Sequence, residues 1–316
     1  MTTRAFCFPG QGSQAVGMGK DLADNFAEAR AVFDEVDEAL GEKLSSLMFD
    51  GPDETLRLTE NAQPALMAVS MAVVRVLEAK GISVENDSAF VAGHSLGEYS
   101  ALCAAGTFSV ADAARLLRTR GRAMQSAVPV GKGAMAALLG LEMDQVKKLA
   151  EQAGQGQVCD VANDNSPGQV VVSGDISAVE RAVEIAKAMG AKRALMLPVS
   201  APFHCELMQP AAEIMEDALA SVDMKAPVVP VVANVLARPI SDPNEIRQRL
   251  VEQVTGMVRW TESVQWLAKS GGVTECVELG AGKVLAGLVK RIDSGLDARS
   301  VGTSETLDAF VAYLKG

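Results

Sequence analysis

The run FVAGHSLGEYSALCAAG, Phe90 to Gly106, carries an apolar strand pattern through a Gly-x-Ser-x-Gly bend and directly into an alanine-rich helical pattern. A strand that becomes a helix within a few residues must fold that helix back beside its own sheet, and strands alternating with helices along the chain predict a parallel α/β core. RAFCF (Arg4 to Phe8) reads as a first buried strand, broken by Pro9-Gly10. DLADNFAEARAVFDEVDEALG and NAQPALMAVSMAVVRVLEAKG then have helical spacing, the second apolar on most sides and so interior.

From about Gly133 the rhythm changes. Strand GAMAALLG, helix MDQVKKLAEQAG, strands QVCDVAN and QVVVSG, helix SAVERAVEIAKAMG and strand AKRALMLP follow one another, the order βαββαβ of a ferredoxin-like unit, with its hairpin turn expected at DNSPG. Residues 131–198 are therefore expected to form a small subdomain inserted into a large α/β subdomain made of 1–130 and 199–316, with APVVPVVANV and GVTECVELG as returning strands. At 316 residues the chain is long enough for this division.

Composition excludes several classes of function. The net charge of −11 with no basic tract removes the counterion-release term behind non-specific nucleic-acid binding. No stretch reaches the ~20 uninterrupted apolar residues of a membrane span, and MTTRAFCFPG lacks a secretory signal pattern, so a cytoplasmic protein with no membrane partner is expected. Five widely spaced cysteines without a C-x-x-C pair argue against both a disulfide framework and a zinc site, and are read as free, mostly buried thiols.

Ser95, between Gly93 and Gly97 at a strand-to-helix joint, has two readings. It either caps the helix, or it is a nucleophile raised above the sheet edge, where the free N–H groups of the helix N-terminus favour developing negative charge. A serine hydroxyl needs a base, and the chain has only His94 and His204. His94 adjoins Ser95 on a sharp turn and should leave in another direction, so His204, in SAPFHCELM, is the candidate base. In SVADAARLLRTRGRAMQSAV, Arg120 falls on the helix face of Ala113, Leu116, Leu117 and Met124, opposite Arg118 and Arg122. A guanidinium on an apolar face should meet a carboxylate, either internal or brought by a ligand. The loop FPGQGSQ after the first strand is Gly-rich but matches neither a dinucleotide fingerprint nor a Walker loop; its N–H groups could serve an oxyanion.

FPGQGSQ, GHSLGE at 93–98, RTRGRAM at 118–124, APFH at 201–204 and ELGAGKVLAGLVKR at 278–291 occur in order along essentially the whole chain. The set resembles the malonyl-CoA:acyl carrier protein transacylase family. This resemblance implies a large α/β-hydrolase-like parallel-sheet subdomain with a ferredoxin-like flap and the active site between them. It implies that Ser95 takes malonyl from coenzyme A as an ester and passes it to the pantetheine thiol of acyl carrier protein, supplying fatty acid synthesis with no cofactor. By the same resemblance His204 is the base, the N–H groups of Gln11 and Leu96 form the oxyanion hole, and Arg120 holds the malonyl carboxylate. The Gln253 carbonyl would orient His204, and Phe203 would mark malonyl selectivity. The chain departs from the family at GAGK (280–283), where GPGK is commoner. Because the carrier protein is acidic, a basic patch at the pocket mouth is expected, with Lys290 and Arg291 as candidates. A discrete, monomeric enzyme is expected. The rivals are a serine esterase or thioesterase using the same elbow, and a carrier-binding scaffold without chemistry.

Overall fold

The computed structural model describes residues 2–316. Six strands form the larger sheet: β1 (Arg4–Phe8), β2 (Phe90–Gly93), β7 (Val231–Ala233), β8 (Arg238–Ile240), β9 (Glu275–Leu279) and β10 (Asp297–Val301). Their order is β10-β9-β1-β2-β7-β8, parallel throughout except for the last pair. β1, β2 and β9 are buried on both faces, so β1 and β2 read as nearly continuous apolar runs, while β9 (ECVEL) buries Glu275, paired with Arg4 and Arg299, and Glu278. The helix Thr59–Ala79 has the length and hydropathy of a membrane span, but it is largely buried inside the protein, packed against the helices Ala27–Leu40 and Val110–Ala127.

β3 (Gly133–Leu139), β4 (Cys159–Ser166), β5 (Gln169–Asp175) and β6 (Arg193–Met196) form a separate antiparallel sheet in the order β4-β5-β3-β6. The helices Met143–Gly154 and Ile176–Ala188 cover it with a core of their own. This is the ferredoxin-like arrangement expected from the βαββαβ order. The hairpin is tighter than DNSPG suggested: β4 runs on to Ser166, and the turn is Pro167-Gly168, with Gly168 at φ 71°. Register shifts at Val161/Asn163 and Asp164/Ser166 allow this, and they aim the Asn-Asp-Asn side chains of β4 at the larger subdomain.

The edge of β4 is joined to the larger subdomain by main-chain bonds. Val258 N–H donates to Ala162 O at 2.9 Å and Asp164 N–H to Val258 O at 2.9 Å. Thr261 Oγ1 donates to the Asp164 carboxylate at 2.7 Å, and Arg291 Nη1 to Gln169 Oε1 at 2.9 Å. An edge strand satisfied in this way is no longer a template for aggregation. All five cysteines are free and buried.

Candidate active site

β2 ends at Gly93 and the helix Leu96–Ala104 begins three residues later, so the connection is sharp. A side chain at Gly93 would put its Cβ 1.9 Å from the Gly97 carbonyl oxygen, so only glycine lets the helix start this close to the strand. Ser95 pays for the bend with φ 53° and ψ −112°. His204 has φ 58°, and these are two of only four non-glycine residues with positive φ among the described residues. Each such residue costs on the order of 1–3 kcal/mol and persists only where its surroundings hold it. At the elbow that support is Asn234, at the end of β7: its Oδ1 accepts from Ser95 N–H at 2.8 Å and its Nδ2 donates to Gly93 O at 2.6 Å.

The Ser95 side chain makes no capping bond to its helix. Its hydroxyl donates instead to His204 Nε2 at 2.7 Å. His204 Nδ1 faces two carbonyl oxygens, Gln253 O at 2.8 Å and Gly256 O at 3.1 Å, so Nδ1 carries the proton and Nε2 presents a lone pair to the serine. Burial, reinforced by the positive Arg120, pushes the imidazole down to about 3. His94 points away from Ser95, its Nε2 lying 2.8 Å from Asn165 Oδ1 of β4.

Arg120 is 1% exposed. It reaches the serine because Gly121 lets the helix Val110–Ala127 close on Thr59–Ala79: a Cβ at 121 would lie 2.5 Å from the Glu60 Cα. Nη2 donates to Ser95 Oγ at 3.2 Å and to Gln253 Oε1 at 2.8 Å, and Nη1 donates to Gln63 Oε1 at 2.8 Å. Its Nε finds no acceptor. Among the described residues no carboxylate lies within ion-pairing distance of Arg120, so the internal ion pair that sequence reasoning allowed is not there. Its counterparts are two amide oxygens and the serine hydroxyl, with the Tyr99 ring 5.7 Å from the guanidinium carbon. Arg118, on the opposite face, is also buried, because this helix is packed on both sides; it bonds Asn61 and Glu42.

Ser95, His204, Gln11, Leu96, Arg120 and Phe203 line one cavity of about 340 Å³ between the two sheets, a size suited to a small-molecule group. Met135, Asn163 and Leu197 close it from the smaller subdomain. The backbone N–H groups of Gln11 and Leu96 have no acceptor among the described residues. Gln11 is held through its side chain, whose Oε1 accepts from Thr59 Oγ1 at 2.9 Å. Gln253 lies behind the cavity wall, fully buried. Lys290 and Arg291 are not among the lining residues: Lys290 bonds Leu296 O and lies 3.5 Å from Asp297, while Arg291 bridges to Gln169.

Sequence reasoning missed Gln63, Glu98 and Asn234. Glu98 sits in the first turn of the elbow helix, and one of its oxygens accepts from Gln253 Nε2 at 2.8 Å and from Asn234 N–H at 3.1 Å. Burial outweighs these bonds and pushes its carboxyl up to about 7.

An acyl transferase domain family profile matches residues 5–304. Malonyl CoA-acyl carrier protein transacylase of Bacillus subtilis is 47% identical, covering 100% of this chain and 98% of its own length. The chain belongs to this transacylase family. The Escherichia coli K12 transacylase is 48% identical over 98% of this chain and 99% of its own. The crystal structure of acyl-carrier-protein-S-malonyltransferase from Bartonella henselae superposes with TM-score 0.97 at 57% identity, covering all of both chains. A malonyl-transacylase in complex with a type II acyl-carrier protein superposes with TM-score 0.95 at 43% identity, over 99% of this chain and 100% of its own.

The depressed His204 fixes an expected pH dependence. A free imidazole near 6.5 loses its basicity in mild acid, whereas one held to about 3 stays neutral. Acylation of Ser95, followed as kcat/KM, is therefore expected to be flat between about pH 5 and 8. A falling limb centred near 6.5 that persists in Glu98→Gln would overturn this. The unfolded chain takes up the same proton near 6.5, so the His204 contribution to stability is present above that pH and is lost as pH falls toward 3.

Proposed function

We propose that this chain transfers the malonyl group from malonyl-CoA to the phosphopantetheine thiol of acyl carrier protein through a malonyl ester on Ser95. The observation that carries this reading is one hydroxyl within 2.7 Å of a neutral imidazole nitrogen and 3.2 Å of a buried guanidinium that has no carboxylate of its own. Ser95 Oγ attacks the thioester carbonyl while His204 Nε2 takes its proton. The tetrahedral oxyanion is met by the N–H groups of Gln11 and Leu96, over the N-terminus of the elbow helix. The C–S bond then breaks and His204 returns the proton to the departing thiolate. In the second half the pantetheine thiol gives its proton to His204, attacks the ester and releases Ser95 Oγ, which recovers that proton.

Arg120 pairs with the malonyl carboxylate, Phe203 shapes the acyl pocket, and the Gln253 carbonyl keeps His204 in the productive tautomer. Residues 131–198 act as the flap over a catalytic body made of 1–130 and 199–316, and they keep water from the ester so that transfer prevails over hydrolysis. No cofactor enters the scheme, which runs in a single cytoplasmic chain. The solved complex of a similar malonyl-transacylase with its carrier protein supports the choice of acceptor.

Mass spectrometry after mixing the protein with malonyl-CoA tests the proposal. A malonyl adduct on the peptide containing Ser95, cleared on adding pantetheinylated carrier protein, is the expected result. Absence of any adduct would point to a scaffold, and release of free malonate in place of transfer would point to a hydrolase.

A further inference from the structure

Gln253 touches both halves of the machinery. Its main-chain oxygen accepts from His204, and its side-chain Oε1 accepts from Arg120 Nη2 at 2.8 Å. An amide turned the other way would aim its NH2 at the guanidinium, donor against donor, and deprive Arg120 of an acceptor. The orientation is therefore set from both ends, by Arg120 at Oε1 and by what faces Nε2. That end lies 2.8 Å from the Glu98 carboxylate, 3.0 Å from Ser95 O, a carbonyl already accepting from Glu98 N–H, and 3.4 Å from Asn234 Oδ1, which already accepts from Ser95 N–H, so Glu98 is its nearest acceptor. Glu98, Gln253 and Arg120 are all buried, so no water competes for these bonds.

We propose that Glu98 is a positioning residue for the carboxylate clamp: by accepting from the Gln253 amide it fixes the end of that amide which faces Arg120. This rests on the clamp role assigned to Arg120 above. Both donors to Glu98 converge on the same oxygen, so what the site requires is one acceptor, which a glutamine carbonyl can supply. A carboxyl pushed up to about 7 fits that requirement, because a proton on its other oxygen leaves both bonds in place. Without that acceptor the Nε2 end keeps only the shared Ser95 O and the longer contact to Asn234 Oδ1, and the amide that holds Arg120 beside Ser95 is less firmly fixed.

The test compares Ser95 acylation by malonyl-CoA and acetyl-CoA in the wild type, Glu98→Leu, Glu98→Gln, Gln253→Leu and the double Leu variant, with thermal unfolding measured alongside. Gln253→Leu keeps the main-chain acceptor for His204. Glu98→Leu and Gln253→Leu are each expected to lower the malonyl-to-acetyl rate ratio about tenfold or more, with the double variant no lower than either. Glu98→Gln should stay within about threefold of wild type, since it retains the acceptor. A wild-type ratio in Glu98→Leu, whatever its loss of stability, would overturn the role, as would a Glu98→Gln as impaired as the leucine variant. Should Glu98→Leu not fold, a wild-type ratio in Gln253→Leu overturns it equally. A wild-type chain that never takes malonyl sinks the transferase reading, and this role with it; an intact malonyl adduct with an unchanged ratio sinks this role alone.

Discussion

Replacing His204 with alanine is expected to slow acylation of Ser95 by about 10²- to 10⁴-fold, the range for loss of a positioned general base. No other group can take over. The second histidine is bound through Nε2 to Asn165, and Arg120, which does touch the hydroxyl, is a donor and cannot accept a proton. His94→Ala should cost less than about tenfold in the same assay, its main effect being a lower unfolding temperature from the lost bond to β4. Rapid-quench measurement of the acyl-enzyme separates the two variants. Equal losses, or a larger loss at His94, would overturn the assignment of the base.

Replacing Arg120 with alanine is expected to lower kcat/KM for malonyl-CoA by about 10²- to 10⁴-fold, because an anionic acyl tail would then be buried without its partner. Acetyl-CoA, which has no carboxylate, should be turned over faster than by the wild type, since the cavity loses a desolvated charge that acetyl cannot satisfy. This reversal of preference distinguishes a clamp from a merely structural arginine. If both thioesters suffer alike, Arg120 holds up the wall of the cavity and selects nothing.

The elbow was legible because its signal is local. Strand, bend and helix fall within Phe90–Gly106, and the two glycines announce a close backbone approach. His204 followed from scarcity, since only two histidines exist and one adjoins the serine. The small subdomain was legible from alternation and helical spacing, up to its hairpin, where the register shifts in β4 leave no mark in the sequence pattern. The amide network was not legible, because its members lie in separate segments and meet only through folding: Arg120 is 57 residues from Gln63 and 133 from Gln253. One signal was available. The reasoning that singled out Arg120, a polar group on an apolar face, applies equally to Gln63 in an almost wholly buried helix and to Glu98 in LGEYSALCA. Lys290 and Arg291 do not line the cavity, and a charge count says only that cations are wanted near its entrance, not which residues supply them.

The short segment from Gly256 to Val258 is anchored at both ends, Gly256 O by the imidazole and Val258 by the edge of β4. The same three residues thus hold both the His204 ring and the edge of the smaller sheet. A shift of β4 against the larger subdomain would therefore reach the imidazole through only three residues of main chain.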